Sequence, residues 1–169
     1  LLFRDSRYFD ARTSHDRKVF WSRGNGWVFA GLARFIEALP EDHPERPLFV
    51  ETFRTMADRL VTLQRADGYW PTSLMDPELV TNPETSGTAF FGFGLAWGLN
   101  NGLLKGKRYE KSRDLAWDAM RRATHTSGKV GWVQQVGKDP QATDFESTQL
   151  YGVGGTLLFA SEMLANEGE

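Results

Sequence analysis

The apolar residues of this 169-residue chain are distributed in two different ways along its predicted helices. Some segments are apolar on nearly every face, whereas others carry one apolar stripe and one charged face. Because a helix without a polar face must be buried all round, the first kind is predicted to lie inside the fold and the second outside. The predicted inner helices are 25–39, 89–104 and 150–164, and the predicted outer helices are 48–65 and 109–123.

The helices and the loops between them follow a repeat of about 60 residues. Each repeat consists of a loop, an inner helix, a turn and an outer helix. Pro40 ends the first helix, and Thr85 or Ser86 is a suitable N-cap for the third. Residues 1–23 show no sustained period and are predicted to form a loop or short hairpin. The polar tail 165–169 is expected to fray.

Alternating inner and outer helices are typical of an inner ring of helices surrounded by an outer ring. Each outer helix carries the chain back, so the inner helices should run parallel and begin at one shared end. Unpaired N–H groups and the positive ends of the helix dipoles would meet there, which favours an anionic ligand. We therefore expect an all-α fold whose functional mouth lies where the inner helices begin.

Composition narrows the function without defining it. The net charge is −2, so no basic footprint for nucleic acid or a membrane surface is present, and no apolar run predicts a membrane span. The chain has no cysteine, and its three histidines are too scattered for a metal site. We expect no cofactor and no metal, a small-molecule substrate and a cytoplasmic location. Leu1 is not preceded by methionine, which suggests a piece of a larger protein.

The stretch 21–27 contains the sharpest chemical signal. Arg23 offers a planar guanidinium that can hold a carboxylate through two parallel hydrogen bonds, and Trp27 offers a flat face for a sugar ring. Asn25 adds a carboxamide between them. The alternative is that Arg23 caps a loop while Trp27 packs in the core, and the two interpretations are about equally supported.

Other polar and aromatic residues are predicted at the same mouth. Glu84, Ser86 and Gln149 could bind sugar hydroxyls. Each could equally cap a helix or interact favourably with the helix dipole. Asp144 and Glu146 are open to the same two interpretations. Trp21, Trp70 and Trp132 are expected nearby, with loop packing favoured over sugar stacking for the last two. Asp5, Asp10 and Asp16 could supply a general acid, but loop carboxylates are usually solvated.

Four motifs in order resemble glycoside hydrolase family 105, the unsaturated rhamnogalacturonyl hydrolases, which are related to the family 88 unsaturated glucuronyl hydrolases. They are Phe20-Trp21-Ser22-Arg23-Gly24-Asn25-Gly26-Trp27, Asp67-Gly68-Tyr69-Trp70, Asn82-Pro83-Glu84-Thr85-Ser86-Gly87 and Tyr151-Gly152-Val153-Gly154. The resemblance extends from about Leu2 to Leu164. It implies an (α/α)6 barrel, of which residues 1–169 would form one domain containing about half the helices, the C-terminal half.

The same resemblance implies a reaction. The family removes the unsaturated uronic acid from the non-reducing end of pectic oligosaccharides that a lyase has produced, by hydrating its C4=C5 double bond. Arg23 and Trp27 match the positions that hold the uronate. The aspartate that acts as proton donor lies in a segment upstream of this chain, so no catalytic residue is assigned here. This chain alone could therefore bind without turnover, and it is expected to self-associate or to pair with the missing half.

Two other functions stay open. A sugar epimerase or isomerase on the same type of barrel would normally place histidines at the mouth as acid and base, and His15 and His125 give this thin support. A non-catalytic helical module, either a sugar-binding remnant or a scaffold, would lack an acid within reach of the ligand. A proton donor within reach of the ligand would therefore indicate an enzyme rather than a non-catalytic module.

Overall fold

The computed structural model describes residues 1–165, and five α-helices form the frame of this part of the chain. A short 3-10 turn, Ser6–Tyr8, precedes them. No named strand occurs in the same residues, only isolated bridges between single pairs. The helices are α1 (Ser22–Ala38), α2 (Arg46–Val61), α3 (Thr85–Asn100), α4 (Lys107–Ala123) and α5 (Leu150–Ala165).

The predicted alternation of inner and outer helices is confirmed, but burial on nearly every face holds only for α3 and not for α1 or α5. Inner helix α3 is buried at every residue from Thr85 to Gly98, and it packs against α1 on one side and α5 on the other. Outer helices α2 and α4 bury only one stripe each, as their amphipathic sequences require. The three inner helices therefore form a row, with α3 at its centre.

Glycines let the inner helices approach closely. A Cβ on Gly87 of α3 would lie 2.2 Å from Ser22 Oγ, and one on Gly94 would lie 2.4 Å from the ring of Phe29. A Cβ on Gly92 would likewise meet the ring of Phe159 on α5. These positions exclude any side chain, so the helix propensity lost at each glycine is offset by closer helix packing.

Several predicted helix boundaries are wrong. Helix α1 begins at Ser22 rather than residue 25, so Arg23 belongs to its first turn and not to a preceding loop. The N-cap of α3 is Glu84, because its carboxylate accepts the backbone N–H groups of Ser86 and Gly87. Neither Thr85 nor Ser86 caps this helix, since both lie inside it.

The helix ends also differ from the sequence pattern. Helix α2 stops at Val61 and α3 at Asn100, each about four residues earlier than the apolar pattern predicts. Tight turns take over there, with Leu63 N–H bonded to Leu60 O and Gly102 N–H to Leu99 O. Helix α5 extends through Ala165, and the rest of the predicted frayed tail, 166–169, lies outside the described residues.

One face of α5 is apolar and exposed. Leu150, Leu157 and Leu164 repeat at seven-residue intervals and are 88%, 65% and 66% exposed. An inner helix that is apolar on every face exposes such a row of residues when only one of its sides is packed against a neighbouring helix. Among residues 1–165, no helix combines the length and the apolar character needed to cross a membrane.

The N-terminal segment forms the predicted hairpin, and one buried carboxylate anchors it. Arg12 and Lys18 pair as an antiparallel bridge. His15, in the loop between them, places Nδ1 3.0 Å from Oδ1 of Asp76, which is 3% exposed. Burial alone would raise the pKa of Asp76, but hydrogen bonds from Thr13 and His15 outweigh it, so that pKa is lowered from 3.8.

We expect Asp76→Asn to lower the free energy of unfolding by about 1 to 2 kcal/mol near neutral pH. Because the pKa of Asp76 is lower in the folded state, its contribution is fully present above pH 3.8 and is lost as the pH falls through the lower, folded-state value. Urea unfolding curves of both proteins at neutral and acidic pH measure this. A difference that stays constant with pH would contradict the assignment, and Asp114→Asn on exposed α4 surface is the control.

Candidate active site

Arg23 lies where the three inner helices begin, and its guanidinium is enclosed. The residue is 3% exposed, with Nη1 donating to Gln134 O at 2.5 Å and Nη2 to Gln135 O at 2.9 Å. Its Cζ lies 4.5 Å from the ring centroids of both Trp21 and Tyr151. Because Tyr151 belongs to α5, this contact confirms that α1 and α5 begin at the same end of the fold.

No carboxylate contacts this guanidinium within residues 1–165. Neither Glu84 nor any other acidic group there lies within ion-pair distance of Arg23. Burial lowers the pKa of Arg23, and the more distant Glu84 and Tyr151 oppose that shift. Two of its five N–H groups bond to carbonyl oxygens, so the group keeps donors and an uncompensated positive charge. An anionic ligand would supply what the protein does not.

Trp27 lies one helical turn beyond Arg23 and is not a core residue. It is 52% exposed, and its ring centroid lies 4.3 Å from that of Phe90 on α3 at an interplanar angle of 38°. Phe90 itself is buried and holds one side of the indole. The structure thus presents an open aromatic surface beside a buried cation, although its role in sugar stacking stays a prediction.

Asn25 serves the protein backbone in this structure. It is 2% exposed; Nδ2 donates to the carbonyls of Leu2 and Trp21, and Oδ1 accepts the N–H of Leu2. Every polar atom of the side chain is therefore occupied. The carboxamide fixes the N-terminal segment against the first turn of α1, and its predicted contact with substrate gains no support.

Glu84 and Ser86 are enclosed rather than open to solvent, and their contact with a substrate stays a prediction. Both residues are fully buried. The Glu84 carboxylate accepts hydrogen bonds from Ser86 N, Ser86 Oγ, Gly87 N and Gln134 N at 2.5 to 3.3 Å. These four donors explain how a carboxylate can be buried without a cation in contact. Glu84 forms the cap of α3 and joins this helix to the loop before α5 through Gln134 N–H.

Gln149 lies at the edge of the same region. It is half-buried, directly before α5, and its Nε2 donates to Gln135 Oε1 at 2.5 Å. Since the backbone carbonyl of Gln135 holds Arg23, Gln149 supports the loop that contacts the guanidinium. Direct contact between Gln149 and a substrate stays a prediction.

Two of the tryptophans expected at the mouth pack elsewhere. Trp70 is fully buried in the core, where Nε1 donates to Leu60 O at 2.8 Å. Trp132 packs against the small cluster of Tyr69, Ala119 and Ala123 beside α4. The favoured interpretation, in which both pack their loops, is correct for these residues.

Gln134 is the residue of this site that sequence reasoning missed. It is fully buried and contacts both Trp21 and Arg23, which are more than 100 positions away in the chain. A glutamine in a polar loop carries no motif, and only its position beside the buried Val133 hints at burial. Its partners become visible only in three dimensions.

Asp5, one of the candidate proton donors, does not suit an acid that must stay protonated near neutral pH. Hydrogen bonding to Arg7 lowers the pKa of Asp5 to about 2. Asp144 is exposed, and its Oδ1 accepts the N–H groups of Glu146 and Ser147 in a turn. Within the described residues no group of three His, Cys, Asp or Glu side chains could hold a metal ion.

Comparison with known proteins gives this arrangement a family. Residues 1–167 match the family described as Glycosyl Hydrolase Family 88. The chain is 52% identical over 164 residues to an unsaturated 3S-rhamnoglycuronyl hydrolase from Alteromonas sp. (strain LOR), covering 97% of this chain and 40% of that protein.

Two solved structures share the fold closely. A family 88 glycosyl hydrolase from Bacteroides vulgatus superposes with a TM-score of 0.94 at 39% identity, covering 98% of this chain and 49% of that one. A protein described as a polysaccharide lyase superposes with a TM-score of 0.93 at 39% identity, covering 100% of this chain and 50% of that one. The chain thus spans half or less of each relative and has the architecture of half an (α/α)6 barrel. It belongs to glycosyl hydrolase family 88.

Proposed function

We propose that this chain forms the uronate-binding half of a hydrolase that removes an unsaturated uronic acid from the non-reducing end of lyase-generated oligosaccharides. The observation that carries the proposal is the buried guanidinium of Arg23, which has no carboxylate in contact among residues 1–165; the exposed residue Trp27 lies one helical turn further along α1. A sugar acid fits this pair, since its carboxylate would meet the cation and its ring the indole.

The proposed reaction is hydration of the C4=C5 double bond. An acid donates a proton to C4, and water adds to C5 while losing its own proton to a base. The product is a hemiketal at C5, whose C5–O5 bond breaks to give a ketone at C5 and a hemiacetal at C1. The hemiacetal then collapses to an aldehyde and releases the linked sugar from C1 as an alcohol. Arg23 would hold the carboxylate attached to C5, and Trp27 would support the ring. The acid is proposed to come from a segment other than residues 1–165.

The linked sugar is proposed to be rhamnose. The notable similarity to a 3S-rhamnoglycuronyl hydrolase favours rhamnoglycuronyl oligosaccharides. The motif resemblance to family 105 keeps pectic rhamnogalacturonyl oligosaccharides as the alternative. Both substrates present an unsaturated uronate to the same cation and are linked to rhamnose, so they differ at the rhamnose, for example in its sulfation, rather than in the chemistry at Arg23.

The test follows the ultraviolet absorbance of the conjugated double bond. It uses this chain alone and a chimera, defined as the Alteromonas relative with this chain in place of its matching 164 residues. We expect the chimera to remove the absorbance of an unsaturated uronyl-rhamnose disaccharide, while this chain alone does not. Disaccharides with and without sulfate at O3 of rhamnose, and one of pectic origin, rank the substrates.

A polysaccharide lyase is the second candidate, because one such protein shares the fold at 39% identity. The same assay separates the two, since a lyase creates the double bond and raises the absorbance on intact polysaccharide. Loss of absorbance with this chain alone would place the proton donor within it, and Asp5, Asp144 and Glu84 would then be tested. No change with either protein on any of these substrates would refute the proposed function.

A further inference from the structure

Gln134 joins the starts of all three inner helices through three of its four polar groups. Its backbone N–H donates to Glu84 Oε1 at 3.3 Å, and Glu84 caps α3. Its backbone carbonyl accepts hydrogen bonds from Arg23 Nη1 of α1 and from the hydroxyl of Tyr151 of α5, at 2.5 and 2.6 Å. Its side chain uses Oε1 to accept the indole N–H of Trp21 at 3.0 Å.

The fourth polar group folds the loop onto itself. Nε2 of Gln134 donates to the carbonyl of Asp139 at 2.8 Å, which closes the segment 134–139. This segment also presents the carbonyl of Gln135 to Arg23. The amide side chain therefore fixes the path of the backbone whose two successive carbonyls hold the guanidinium.

The side chain also acts on the aromatic contact of Arg23. The Trp21 ring, whose centroid lies 4.5 Å from the guanidinium carbon, is oriented by the hydrogen bond to Gln134 Oε1. The Tyr151 ring lies at the same distance, and its hydroxyl bonds to the Gln134 carbonyl. The rings of Trp21 and Tyr151 and the carbonyl of Gln135, which all contact the Arg23 guanidinium, are thus positioned through Gln134.

We propose that Gln134 is a positioning residue for Arg23: it sets the direction of the remaining guanidinium N–H groups without touching substrate. This inference rests on the proposed function, in which Arg23 binds the uronate carboxylate. A side chain that only filled space would leave the guanidinium in place when an apolar side chain of similar length replaced it. The proposal requires the opposite.

The first measurement uses this chain and needs no activity. Gln134→Met keeps the length of the side chain but removes the acceptor for Trp21 and the donor to Asp139. In nitrogen–proton NMR spectra, we expect the Arg23 side-chain N–H signals, assigned by their absence in Arg23→Lys, to lose protection from hydrogen exchange by about tenfold or more. Gln141→Met, an exposed position of the same loop, is the matched control. Circular dichroism verifies that both variants fold.

The second measurement reads the consequence for recognition. In the chimera, kcat/KM is compared for the free unsaturated uronate and for its methyl ester, which lacks the negative charge. We expect Gln134→Met to reduce the acid-to-ester preference by about tenfold, because a misdirected guanidinium loses its paired hydrogen bonds to carboxylate. A general loss of folded enzyme would lower both values equally and leave their ratio unchanged.

The outcomes separate the two proposals. Unchanged Arg23 signals in folded Gln134→Met would overturn the positioning role, and so would lost signals with an unchanged acid-to-ester ratio. If the wild-type chimera acts on neither substrate or shows no acid preference, the proposed function fails. In that case the exchange measurement still decides whether Gln134 holds Arg23.

Discussion

Arg23→Ala in the chimera is expected to lower kcat/KM for the unsaturated uronate by about 100- to 1,000-fold, or roughly 3 to 4 kcal/mol of transition-state stabilisation. The guanidinium is charged, desolvated and without a carboxylate in contact among the described residues, so a bound uronate would gain a strong charge-assisted pair. The measurement is the initial rate of absorbance loss across substrate concentrations. Thermal melting of each variant separates folding from recognition.

Two variants sharpen this result. Arg23→Lys keeps the positive charge, but its ammonium group lacks the planar guanidinium that can bond to two carbonyl oxygens and a carboxylate at once. We therefore expect it to lower kcat/KM by less than Arg23→Ala does. Arg34→Ala on the same helix removes an exposed arginine that pairs with Glu37, and we expect wild-type kinetics. The methyl ester should react equally slowly with wild type and Arg23→Ala. An Arg23→Ala enzyme with unchanged kinetics would remove Arg23 from the site.

The arrangement of the helices could be predicted because it depends on local composition. Helix α3 has no polar face to give to solvent, so it had to be enclosed, and its glycines had to face neighbouring helices. Helix α4 is strongly amphipathic and had to lie outside. The pattern does not determine helix ends, since the chain leaves α2 and α3 in tight turns, in which Leu63 N–H donates to Leu60 O and Gly102 N–H to Leu99 O.

The site was only partly predictable because its contacts are long-range. Arg23 and Trp27 carry their chemistry in their residue types, and the structure places one as a buried cation and the other as an exposed ring. Asn25 and Glu84 carry equally suggestive types, yet their partners are Leu2, 23 positions away, and Gln134, 50 positions away. Nothing in the sequence indicates that these partners use every polar atom of Asn25 and bury Glu84.

Glu84 is therefore expected to matter first for folding. Glu84→Ala should lower the free energy of unfolding by about 3 to 5 kcal/mol, since it removes the cap of α3 and leaves the N–H groups of Ser86, Gly87 and Gln134 without their acceptor in a buried site. Urea unfolding at low protein concentration measures this. Glu37→Ala, an exposed carboxylate on α1, should change it by no more than about 0.5 kcal/mol.

Glu84→Gln distinguishes structure from chemistry at this position. The amide keeps one acceptor but turns an N–H₂ group toward backbone donors, so we expect about half the stability loss of alanine. If Glu84→Gln instead leaves stability intact while abolishing turnover, the carboxylate acts on substrate, and the cap is secondary. If stability and the acid-to-ester preference fall together, Glu84 acts through Gln134. The Glu84 cap of α3 and the Arg23 cation of α1 are then energetically coupled.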